Sequence, residues 1–195
     1  MISTYVGELT TYKDSIITAI CQEPEGTFAR RVFPMALSIE NLHKFWEKAS
    51  QFRTVFNEDV RGDFKAFCEL FISIDGNLPR AHGLFWVIDD FVGLYYMTHL
   101  TDHDCQVHYT FFDKRHKGRE ELTKEMLKYA FRTFGFQRMS VEIPLYASRN
   151  TFGFTHAIGF RKEGVKRKCI KYKDSWFDAT CFGLLRSEAL PDDGS

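Results

Sequence analysis

Between Val107 and Phe131 the chain reads VHYTFFDKRHKGREELTKEMLKYAF, and no other segment limits its fold as tightly. Aromatic and β-branched residues end at Asp113, a basic turn with a single glycine follows, and an apolar period near 3.6 begins at once. The pattern predicts a strand over about Gln106–Phe112 feeding a helix over Arg119–Phe134, with Leu122, Met126, Tyr129 and Ala130 on its buried face. Glu120 precedes Lys124 by one turn on the wet face. A helix start of this kind exposes unpaired amides and a partial positive charge, which binds phosphate. Arg115, Lys117 and Arg119 add countercharge, and Gly118 lets the backbone come close. The plainer reading is a polar loop whose glycine merely serves the turn.

The flanking segments supply the rest of the layers. Ser38 is placed to cap a helix in which Leu42, Phe45, Trp46, Ala49 and Phe52 recur at helical spacing. A second helix is expected over about Asn57–Phe71, with Phe64, Phe67, Cys68 and Phe71 on one face. The period then changes to that of a hairpin, Gly83–Ile88 and Phe91–Leu100 around Asp89-Asp90. After the long helix come a strand over Arg138–Leu145, whose Pro144 marks an edge or bulge, and a short helix over Asn150–Ala157. Two strands, Gly164–Tyr172 and Trp176–Leu185, close the pattern around Lys173-Asp174-Ser175. The fold class is α+β. Residues 1–34 read as an N-terminal extension, in which Ala29–Phe33 offers one more strand, packed on a domain spanning 35–188, and 189–195 read as a flexible tail.

Composition narrows the partners. Lys plus Arg and Asp plus Glu both number 26, so the basic excess of a nucleic-acid binder is missing and a local basic patch suits a small anionic ligand. Five scattered cysteines without a CxxC read as buried thiols of a reducing compartment. The first ten residues lack a charged stretch followed by an apolar run, and no apolar stretch approaches the ~18 residues of a membrane span. The expectation is a cytoplasmic protein, with no membrane and no nucleic acid among its partners. His99, Asp102, His103, Asp104, Cys105 and His108 are metal-ligating types, but their spacing fits no zinc pattern and they read as polar turn residues, so no metal is expected.

The closing segment GFRKEGVKRKCIKYKDSWFDATCFGLLRSE carries further signals. Gly159-Phe160 is followed by Glu163-Gly164, and Trp176, Asp178, Leu185 and Glu188 come in that order. Together with Arg115 and Gly118 in the basic turn, these residues resemble the GNAT superfamily of acetyltransferases, and within it the RimJ/RimL-type protein N-acetyltransferases. In that family Arg115 and Gly118 correspond to the first and fourth positions of a Q/R-x-x-G-x-G/A turn, though Glu120 stands where Gly or Ala is usual. The resemblance covers roughly residues 35–188. It implies a splayed, mostly antiparallel central sheet flanked by helices, with acetyl-CoA as cofactor. The turn Arg115, His116, Lys117, Gly118, Arg119 and Glu120 would then meet the pyrophosphate, the backbone of Phe111, Phe112 and Asp113 the pantetheine, and either Ser148 or Asn150 would take the family's Asn position.

Acetyl transfer needs a neutral amine, a route for its proton and a donor for the leaving thiolate. Glu142, a lone acid in an apolar strand, is similar in placement to family bases, although strand alternation equally allows it to face solvent. Tyr146 and Ser148 are candidate donors at that strand's end, and His108 alternates with Tyr109 on the earlier strand. The Tyr common in the family four residues before Gly-Phe is Thr155 here, with His156 beside it. The implied partner is an amine acceptor, protein or small molecule, with a homodimer left open. A degenerate fold serving as a binding module is the competing reading, and a metal-dependent enzyme on the His99–His108 run a third.

Overall fold

A computed structural model of the chain describes residues 31–35, 37–52, 62–75, 78–89, 91–113 and 117–191. Strands hydrogen-bond in the order β1-β4-β5-β6-β7-β9-β8, a seven-stranded sheet, with β2-β3 a separate pair. Their ranges are β1 Val32–Pro34, β2 Ile72–Asp75, β3 Leu78–Ala81, β4 Gly83–Ile88, β5 Gly93–Thr98, β6 Asp104–Phe111, β7 Arg138–Pro144, β8 Arg161–Tyr172 and β9 Ser175–Leu185. The helices are α1 Ile39–Ala49, α2 Phe64–Glu69, α3 Arg119–Phe134, α4 Arg149–Ala157 and α5 Arg186–Ala189. The mixed, mostly antiparallel sheet flanked by helices agrees with the fold class read from the sequence. Contacts group the chain into two compact units, Met1–Thr98 with His108–Lys114 and His99–Val107 with Arg115–Ser195.

In the first unit the expected cap forms, with the Asn41 amide donating to Ser38 Oγ at 3.2 Å. Leu42, Phe45 and Ala49 of α1 are fully buried, and Phe45 meets Phe67 and Phe71 with ring centroids 5.2 and 5.4 Å apart. Aromatic rings at these tilts bury much area and set their neighbours' orientation. The second helix is shorter than expected. Asp63 caps it, its Oδ1 accepting from the Ala66 amide at 3.0 Å, so the helix begins at Phe64, and residues 53–61 lie outside those described. The β4–β5 hairpin forms as read, and Gly83 is indispensable to it: an added Cβ would stand 2.0 Å from the Met97 carbonyl oxygen. Val32–Pro34, at the end of the stretch read as an extension, pair antiparallel with β4, while residues 1–30 lie outside those described. The β2–β3 hairpin is not foreshadowed by the sequence, because its strands have four residues each and Pro79 sits inside one.

In the second unit α3 has the predicted bounds, with left-handed glycines at both ends, Gly118 at φ 73° and Gly135 at φ 71°. Leu122, Met126, Leu127, Ala130 and Phe131 are buried along it. Along β7, Met139, Val141 and Ile143 are buried while Arg138, Ser140 and Glu142 alternate onto the other face. The parallel β6–β7 ladder holds three residue pairs, Asp104↔Arg138 to Gln106↔Ser140, the short pairing a splay requires. β9 pairs with β7 along seven residues of each, so Pro144 lies at the end of a ladder. β8 is the outermost strand in the order and mostly exposed, and its register on β9 shifts between Lys162 and Gly164 and between Lys166 and Ile170. The cysteines only partly match the buried reading: Cys105 is buried, Cys68 and Cys181 half-buried, and Cys169 exposed because it stands in that irregular stretch. Cys21 lies outside the described residues. Among the described residues no helix is long and apolar enough to cross a membrane.

Candidate active site

The turn that opens α3 is built by its glycine. Gly118 takes a left-handed φ that costs a residue with a Cβ about 1 kcal/mol or more, and among the described residues nothing lies within 4 Å of where that Cβ would be. Conformation, rather than crowding, selects glycine here. The helix has no side-chain cap, and the amides of an α-helix's first turn have no partners within the helix itself. Arg119 is held over the Phe154 ring of α4, its guanidinium carbon 5.4 Å from the centroid, and its carbonyl accepts from the buried Thr123 hydroxyl at 2.7 Å. Lys117 is exposed, Glu120 is half-buried in the first turn beside Glu121, and Arg115 and His116 lie outside the described residues. Among the described residues, a helix start without a side-chain cap and with Lys117 and Arg119 beside it fits a diphosphate, while Glu120 and Glu121 in the first turn work against it.

Glu142 faces away from the buried side of β7 and forms an ion pair with Lys166 of β8, reaching across β9. The pair raises the Lys166 ammonium above the ordinary lysine range, first through the hydrogen bond and then through the carboxylate's charge. Tyr146 stacks on Tyr172 with centroids 4.5 Å apart and meets Phe177 edge-on at 5.2 Å. Burial pushes its phenol above the usual tyrosine value, so it keeps its proton at neutral pH and is suited to donate one. Ser148 caps α4, its Oγ accepting from the Thr151 amide at 3.4 Å and lying 3.1 Å from Thr151 Oγ1. Asn150 is exposed in the first turn of α4. Thr155, standing where the family's Tyr would be, is buried and donates to the Thr151 carbonyl at 2.8 Å. His156 is exposed, its ring edge-on to Phe182 at 5.1 Å.

The remaining candidates belong to the first unit. His108 stacks flat on Tyr96, centroids 4.3 Å apart, with its Nε2 2.9 Å from Thr98 Oγ1. The Phe112 amide donates to the Val92 carbonyl at 2.8 Å. Phe111 packs edge-on against Tyr95 at 6.0 Å, and Asp113 is exposed. Sequence reasoning missed Lys166, Tyr172 and Phe177. Lys166 lies in the strand expected over Gly164–Tyr172, but its pairing depends on β9 lying between β7 and β8, which no local pattern reveals.

Residues 88–181 match the family model for an acetyltransferase (GNAT) domain. No protein of curated function matches the chain. Among solved structures, a provisionally assigned acetyltransferase from T. thermophilus is similar at 19% identity over 86% of this chain and 90% of its own, with a TM-score of 0.63. Spermidine N-acetyltransferase from Vibrio cholerae, in a dodecameric structure, is similar at 13% identity over 85% of this chain and 99% of its own, with a TM-score of 0.60. These likenesses show the fold. The ribosomal-protein-S5-alanine acetyltransferase from Vibrio fischeri overlaps less, over 55% of this chain and 63% of its own, at 17% identity and a TM-score of 0.49.

Proposed function

We propose, from the match of residues 88–181 to the acetyltransferase (GNAT) domain, that the chain transfers an acetyl group from acetyl-CoA to a primary amine. The observation that carries the reading is the turn at Gly118: a left-handed glycine with open space beside it, at the uncapped start of a 16-residue helix, flanked by Lys117 and Arg119. Lys117, Arg119 and the first-turn amides of α3 would hold the pyrophosphate, and on the family likeness Phe111, Phe112 and Asp113 would meet the pantetheine. The cofactor supplies an acetyl thioester, and the chain's residues handle protons around it. Glu142 would accept the proton of the acceptor's ammonium, leaving the amine neutral, and the Tyr146 phenol would supply a proton on the leaving-group side. Ser148, whose hydroxyl caps α4, and Asn150 orient the cofactor side of that helix, and His108 is left a supporting role on its own strand.

Binding is tested by thermal unfolding with and without acetyl-CoA. A ligand at 100 times its Kd adds about 2.7 kcal/mol to a protein that binds it only when folded. Gly118→Asp places a carboxylate at the turn and should abolish that gain, whereas equal stabilisation of both proteins would remove the pyrophosphate from this turn. Release of the CoA thiol in the presence of amine acceptors then separates an active enzyme from a binding module.

A further inference from the structure

Two ion pairs cross β9 on one face of the second unit, and they are built differently. Arg138 grips Glu163 through two nitrogens, each 2.5 Å from a carboxylate oxygen, and Gly183 leaves the room beneath them. Lys166 instead reaches Glu142 through one ammonium on a flexible four-carbon stem. It does so from the stretch where β8 loses register on β9, next to Lys168 at φ 49°. The Glu142 side chain is 25% exposed and that of Lys166 57%. The carboxylate is therefore the covered partner, and the cation is the outer, replaceable one.

We infer that Lys166 holds, in the free protein, the place of the acceptor's ammonium on Glu142, so that the acceptor is a primary alkylammonium on a flexible stem which displaces it. This rests on the acetyltransferase reading above. The exchange suits the chemistry of both partners. Lys166 leaves into water, where an ammonium is well solvated, and Glu142 passes from one cation to another without standing unpaired, the step that makes breaking a covered ion pair costly. An α-amine is attached directly to a peptide backbone and lacks the stem that lets Lys166 span β9. The same carboxylate that selects the cation is then in place to receive its proton. Lys166 acts as an internal competitor, lowering apparent acceptor affinity by the fraction of molecules in which it occupies Glu142.

The full chain is titrated, by NMR, with 1,5-diaminopentane and with Nα-acetyl-lysinamide, and alaninamide serves as the α-amine arm. Lys166→Met should bind the first two about two- to fivefold more tightly than the wild type, the span expected when an exposed competitor is removed. Lys166→Arg, able to hold the carboxylate through two nitrogens, should bind the amines no more tightly than the wild type, and adding Glu142→Gln to Lys166→Met should cancel the gain. A larger gain for the diamine points to a free polyamine, and a larger gain for the lysinamide to a protein lysine. No binding, equal affinity in wild type and Lys166→Met, or an equal gain for alaninamide overturns the inference. Acetyl-CoA stabilisation is measured on the same samples; its absence would sink the acetyltransferase reading, while the amine titrations still decide this one.

Discussion

At the scale of single residues, each candidate side chain has surroundings that make its proposed task testable. Tyr146 is the clearest. Burial raises its phenol above the ordinary tyrosine value of about 10, so the proton-bearing form persists through that pH and is lost only above it. If it protonates the leaving thiolate, wild-type kcat should hold steady on the alkaline side until beyond about pH 10. Tyr146→Phe should lower kcat by about 100-fold or more and remove that limb. A loss smaller than threefold with an unchanged pH profile would leave Tyr146 as packing for Tyr172 and Phe177. Glu120 makes an opposite case. It is a half-buried carboxylate in the first turn of α3, where an anion stabilises the helix but repels a bound phosphate. Glu120→Ala should keep or tighten acetyl-CoA binding; a loss of about tenfold, about 1.4 kcal/mol, would mean that Glu120 makes a required contact.

At the scale of elements, the clasp of Arg138 and Glu163 ties β7 to β8 over the intervening β9. Arg138 also lies 3.7 Å from Asp104 of β6, so charges from three strands meet there. Hydrogen bonding to Arg138 holds the Glu163 carboxyl below its ordinary range. Its contribution is therefore complete above the unfolded value near 4.3 and disappears as pH falls through the lower, folded value. The Glu163 side chain is more than a third exposed and that of Arg138 about a third, which limits the clasp to about 1 kcal/mol or less. Urea unfolding at pH 7 should show Glu163→Gln less stable by that amount, with the deficit closing in acid; a deficit that persists at low pH would mean packing, not charge. Gly183→Ala should cost about as much, since its methyl would stand 2.2 Å from Glu163 Oε1 and push the clasp open. Because both substitutions remove one interaction, the double variant should lose little more than either single one.

How far these elements were legible follows from how local their causes are. Helix α3 was readable to its ends, because a helical apolar period and a glycine at each terminus all lie within one segment. The β4–β5 hairpin was readable for the same reason. The β2–β3 pair was not, because two four-residue strands carry too little periodicity to stand out. Within the site, the Gly118 turn was evident from its own sequence. The partner of Glu142 lies 24 positions away on a strand that is not even its neighbour, so only the strand order exposes it. Ser148 was read as a proton donor, a role that its capping of α4 neither requires nor forbids.

At the scale of the whole molecule, charge is balanced overall but unevenly distributed, and ligand binding should register locally. In hydrogen exchange, acetyl-CoA should slow the amides of residues 117–121, whose first-turn positions a pyrophosphate would engage, and Gly118→Asp should erase that protection. The β4–β5 hairpin should exchange as before; protection spread evenly over the chain, or absent from 117–121, would contradict the assignment. The outermost strand has a separate consequence. Among the described residues β8 has no strand on its outer side, and it exposes Arg161, Lys162, Arg167, Lys168 and Lys171 along an edge whose register on β9 shifts twice. A free edge is a template for growth into fibrils, and lysine-rich, irregular edges resist it. Two copies brought together along β8 would set like charges against each other, a barrier that added salt weakens. The conditions that loosen electrostatic grip on an anionic cofactor are thus the same ones that disarm the chain's guard against edge-to-edge polymerisation.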